Sequence, residues 1–97
     1  MVSTPLSKTM KIPKQIKIGG LWYKVEQVSR SAMSENIADT DFSFNLIRIN
    51  KDNNKSQQDL SFLHEIIHCI NNQLSEKETE FLTHSLYQVL HDNKLKF

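Results

Sequence analysis

Between Leu60 and Leu74 the apolar residues Leu60, Leu63, Ile67, Ile70 and Leu74 recur with a helical period, and His64-Glu65-Ile66-Ile67-His68 lies inside that stripe. This segment constrains the chain more than any other, because it fixes a half-buried helix and places two imidazoles on it. Histidines four residues apart project from one helical face, so both rings can reach a single ion. The carboxylate of Glu65 points to the flank, where it can take a proton from metal-bound water. In a chain of this composition the H-E-x-x-H pattern arises by chance only about 0.01 times. Phe62, Leu63, Ile66, Ile67 and Ile70 around it supply the low-dielectric wall that a metal site needs.

The first half of the chain has a different period. Ile12, Ile16 and Ile18 share one parity, with Lys14 and Lys17 between them, and Gly19-Gly20 separates them from Leu21-Trp22-Tyr23-Lys24-Val25. Two such runs joined by Gly-Gly predict a hairpin with a tight primed turn. Trp22 and Tyr23 are expected in the core. Ser29 to Asn36 is polar and reads as a loop, and Ile37 to Asn50 reads as a second β region with Ile47 and Ile49 on one face. After the turn cluster Asn50 to Asn54 comes the motif-bearing helix. Ser75 stands three residues before Glu78, a capping-box spacing that opens a second helix. Leu82, Leu86, Val89 and Leu90 are expected as its apolar face, and Asp92-Asn93 as its end. The expected class is α+β: a small antiparallel sheet or pair of hairpins packed on two C-terminal helices, the first carrying H-E-x-x-H.

With 97 residues the chain is expected to be one domain, 1–97, with residues 1–11 as a flexible arm. Twelve basic residues against eleven acidic ones leave a net charge of +1, too balanced for a nucleic-acid partner. The single cysteine, Cys69, excludes an internal disulfide and fits a reducing compartment. It points roughly 100° around the helix from His68, as a small buried hydrophobe. No run approaches the ~20 apolar residues that span a bilayer, so no membrane partner is expected and the location read from the sequence is cytoplasmic.

A catalytic zinc needs a third protein ligand and one open position. The second helix offers Glu76, Glu78, Glu80 and His84. The ion should lie level with Ile66, and a helix returning antiparallel from a turn near Gln73-Leu74 reaches that level after several residues. Reach therefore favours Glu80 and then His84. Glu76 sits at the helix start, and capping occupies Glu78. His84 and Tyr87 share the polar face with Glu80, as candidates for orienting a ligand or steadying an oxyanion.

The run Phe62 to His68, followed by Leu74-Ser75-Glu76, Glu80-Phe81-Leu82 and Leu86 to Asn93, resembles a family of short phage and mobile-element proteins similar to the ImmA/IrrE-like gluzincin metallopeptidases. The hairpin around Ile18-Gly19-Gly20 and the strand Ile47-Arg48-Ile49-Asn50 fit the same resemblance, which covers roughly Ile12 to Asn93. It implies a minimal zincin-like domain with Zn2+ held by His64, His68 and Glu80, and Glu65 as general base. The implied activity is zinc-dependent peptide hydrolysis on a protein or peptide substrate, a repressor or host factor. This chain departs from larger gluzincins in its very short link between His68 and the second glutamate. The rival expectation is a non-catalytic zincin-like module that binds a partner protein, with zinc structural or absent.

Overall fold

The computed structural model describes residues 11–29 and 38–95, so most of the expected arm 1–11 and of the loop 29–36 lies outside the described residues. In chain order the elements are β1 (Gln15–Ile18), β2 (Leu21–Val28), β3 (Ala38–Asp41), β4 (Leu46–Asn50), α1 (Lys55–Ile70) and α2 (Glu76–Asp92). The class is α+β. Gly19 and Gly20 have φ of 58° and 85°, so the β1–β2 hairpin turns on two residues with positive φ. This is the primed turn whose twist matches the strands it joins, and glycine adopts it without a Cβ clash.

The sheet order is β1-β2-β4-β3, and β2 runs parallel to β4 while the outer pairs are antiparallel. The sheet is thus mixed, correcting the expected antiparallel one. Residues 29–45 supply the connection of a dozen or more residues that a parallel pair requires. The register sets Val25 beside Ile47 and Gln27 beside Ile49. It therefore places the apolar strands centrally and leaves the acidic Ala38-Asp39-Thr40-Asp41 as an edge, where charge discourages further pairing.

Strand alternation divides the sheet into two faces. Ile18, Tyr23, Val25, Ile47 and Ile49 are buried on the face that packs on α1, together with Phe62 and Leu63 from that helix. Burying each such side chain contributes roughly 1.5–3 kcal/mol. The opposite face is polar: Arg48 donates to both oxygens of Asp39 at 2.8 and 2.6 Å. Trp22 is on this face, 56% exposed, with the Lys17 ammonium 5.9 Å from its ring centroid. The expectation of Trp22 in the core is corrected, because neighbours in a strand face opposite ways and Tyr23 takes the inward position.

Asn54 caps α1, its side chain accepting from the Gln57 N–H, and Asn71 ends it. Ser75 opens α2 with the expected capping box: its side chain accepts from the Glu78 N–H, and Glu78 accepts from the Ser75 N–H. The inward face of α2 differs from the expected one. Leu82, Leu86 and Val89 are 42–44% exposed, while Thr79 and Thr83 are buried. The reason lies in α1, on which α2 chiefly packs. The side of α1 that carries Phe62, Leu63 and Ile66 packs on the sheet core, Ile70 of the expected stripe is 67% exposed, and the side that meets α2 carries the histidines. Small residues let the helices approach there. Each threonine hydroxyl donates to the carbonyl one turn earlier, Thr79 to Ser75 at 2.9 Å and Thr83 to Thr79 at 2.7 Å, so no polar group is left unpaired at the contact.

Candidate metal centre

His64 and His68 lie one helical turn apart on α1, with ring centroids 4.7 Å apart and planes at 73°. Their Nε2 atoms are 3.0 Å apart. Oε1 of Glu76, the first residue of α2, stands 3.1 Å from Nε2 of His64 and 2.8 Å from Nε2 of His68. These three residues form the one group among the described residues whose ligand atoms could hold an ion.

Glu76, and not the expected Glu80, stands beside both histidines. The physical reason is where α1 stops. It ends at Ile70, two residues after His68, rather than running on toward Gln73. The five residues Asn71 to Ser75 then reverse the chain, so α2 begins level with His68. One turn further along, Glu80 comes level with His64, and its Oε1 lies 2.8 Å from Nδ1 of that ring. Glu80 therefore grips the nitrogen that faces away from the cluster.

That contact decides the chemistry of the donor set. A carboxylate oxygen can only accept, so a neutral His64 ring with its proton on Nδ1, toward Glu80, would present a lone pair from Nε2. In that tautomer Nε2 of His64 and Oε1 of Glu76 would both offer lone pairs beside Nε2 of His68. Two charged imidazoles this close would repel each other. A divalent cation would satisfy all three atoms at once. Two imidazoles and one carboxylate form a donor set that suits zinc, whose tetrahedral ligand atoms stand about 3.3 Å apart. The hydrogen bond from His68, the largest influence, holds the Glu76 carboxyl below the usual carboxylate range against the opposing effect of burial; the charge of His64 adds to the lowering.

Glu65 is 6% exposed. Burial pushes its carboxyl above the usual range, opposed by the hydrogen bond from Thr40 and by the charges of His64 and His68. The Thr40 hydroxyl donates to Oε1 of Glu65 at 2.6 Å. Sequence reasoning missed Thr40: residues 38–41 show no alternation of apolar residues, and the contact joins positions 25 residues apart. The other site expectations divide. His84 lines the same cleft and lies 3.5 Å from Oε2 of Glu80. Glu78 is held by its cap. Tyr87 instead packs against the core and stacks on His91, with centroids 5.5 Å apart, and does not line the cleft.

The cleft has a volume of about 380 Å3 and lies between β3, α1 and α2. It is lined by Ala38 from the edge strand, by Leu60, Ser61, His64 and Glu65 from α1, and by Glu76 and Glu80 from α2. No protein-family model, curated protein or solved structure matches the chain.

Proposed function

We propose that the chain is a minimal zincin-like metallopeptidase that hydrolyses peptide bonds with zinc held by His64, His68 and Glu76. The observation that carries this reading is the convergence of Nε2 of His64, Nε2 of His68 and Oε1 of Glu76 within 2.8–3.1 Å, beside the buried carboxylate of Glu65. Bound there, zinc would lower the pKa of a water to about 7 and polarise a substrate carbonyl.

The chain's own groups account for the rest. Glu65 lines the cleft one residue from a ligand, the position from which a carboxylate would take a proton from a water held in the centre. Its raised pKa makes it a better proton acceptor than an exposed glutamate, and it can return the proton to the leaving amine. Glu80 keeps the His64 ring in the tautomer and orientation that present Nε2. Ala38 places the edge strand at the mouth of the cleft, and a sheet edge offers unpaired backbone groups to an extended peptide. A protein substrate in a reducing compartment, the cytoplasm, fits the single cysteine.

The deciding experiment is metal analysis and proteolysis on one preparation. One zinc per chain, lost in His64→Ala and Glu76→Ala, with cleavage of labelled casein that Glu65→Gln abolishes, is the expected result. Zinc retained in Glu76→Ala would reject the ligand set.

One observation favours the rival reading of a non-catalytic protein-binding module: the apolar row Leu82, Leu86 and Val89 is more than two-fifths exposed, with Phe81 beside it at 72%. Zinc binding without hydrolysis, accompanied by a stoichiometric complex broken by Leu86→Ser, would select it.

A further inference from the structure

The geometry points to Thr40 as a positioning residue for Glu65, so that the edge strand β3 sets where the active carboxylate stands. This rests on the reading of Glu65 as the base.

The Thr40–Glu65 contact is short, 2.6 Å, and both ends of it are fixed. Thr40 pairs with Ile47, a fully buried residue, and therefore faces α1. A β-branched side chain has few χ1 options. On the other face of the same strand, Asp39 is tied to Arg48 through two hydrogen bonds, which pin the backbone of β3. The hydroxyl is also oriented. Its one proton goes to Glu65.

The consequence concerns freedom. A glutamate side chain turns about three bonds, and a base works only within about 2.6–3.2 Å of its proton. With Oε1 tied to Thr40, the second oxygen remains to work in the cleft. Without that bond the carboxylate can swing toward either histidine, and a displacement of about 1 Å costs on the order of 100-fold in rate.

The test compares zinc-loaded wild type, Thr40→Val and Thr40→Ser, with fluorescein-labelled casein as substrate and the Glu65 side-chain 13Cδ resonance as a reading that needs no substrate. Expected is a kcat lower by about 10–100-fold in Thr40→Val, with KM and zinc content unchanged, recovery to within about threefold in Thr40→Ser, and no further loss when Thr40→Val is added to Glu65→Gln. The resonance should move or broaden in Thr40→Val and stay in place in Thr40→Ser. An unmoved resonance and wild-type kcat in Thr40→Val would overturn the inference, as would a Thr40→Ser protein as impaired as Thr40→Val. Zinc-loaded wild type that leaves casein intact, while the resonance still moves in Thr40→Val, would overturn the peptidase reading and sustain the placement of Glu65 by Thr40.

Discussion

Oε1 of Glu80 lies 2.8 Å from Nδ1 of His64, on the nitrogen opposite the one that meets His68 and Glu76. Two glutamates one helical turn apart thus engage the two nitrogens of one ring. Their roles are unequal, and the difference is measurable.

Removing a ligand and removing its support should have distinct effects. Glu76→Ala, like His64→Ala and His68→Ala, is expected to abolish zinc binding near neutral pH. Glu80→Gln should weaken binding by about 10–100-fold without abolishing it, as for other carboxylates that orient a ligating histidine. Competition with a chromophoric chelator measures both, and equal loss in Glu76→Ala and Glu80→Gln would contradict the division. Because histidine and glutamate bind metal only without their protons, acidification should release the ion.

Glu65→Gln should stabilise the metal-free protein while removing activity. The folded-state pKa of Glu65 is raised, chiefly by burial. Its contribution to stability is therefore greatest in acid and falls as pH rises from about 4.3, the unfolded value, through the folded one. As pH rises past the folded value the cost of a buried charge appears, and glutamine removes it while still accepting from Thr40. A gain on the order of 1 kcal/mol, seen as about 4–8 °C in Tm, is expected at pH 7. The gain should shrink toward pH 4, and thermal melts across that range give the sign directly.

Zinc should fasten α2 to α1. Two ligands belong to α1 and the third opens α2, so the ion bridges helices whose remaining contact centres on Thr79 and Thr83. At free zinc 100-fold above Kd the stabilisation is about 2.7 kcal/mol. Chelation should lower Tm accordingly and speed amide exchange in α2 more than in β2 and β4. Uniform exchange through both helices and the sheet would count against the bridge.

Thr83→Leu should widen the gap between the helices. Thr83 is 1% exposed, and forcing a larger side chain into such a contact costs roughly 1–3 kcal/mol. The same displacement carries Glu76 away from the histidines, so zinc affinity should fall together with Tm. Leu86→Ser, at a site 43% exposed, should change neither by much.

The features the chain determined by itself are those closed within a few residues. Gly19-Gly20 gave a two-residue turn with positive φ because no partner is needed to favour it. Ser75 and Glu78 capped α2 because both hydrogen bonds join neighbours. His64 and His68 share a face through helical pitch alone, with Glu65 beside them. The tertiary structure decided what depends on where a helix stops and which elements meet. The end of α1 at Ile70 brought Glu76 into the cluster and gave Glu80 the far side of the His64 ring. Packing on α1 buried Thr79 and Thr83 and left Leu82 and Leu86 exposed. The parallel pairing of β2 with β4 put β3 at the edge and Thr40 against Glu65. Local hydrogen bonds and periodicity are fixed by spacing along the chain, whereas these contacts follow from competition among all the surfaces that must be buried together.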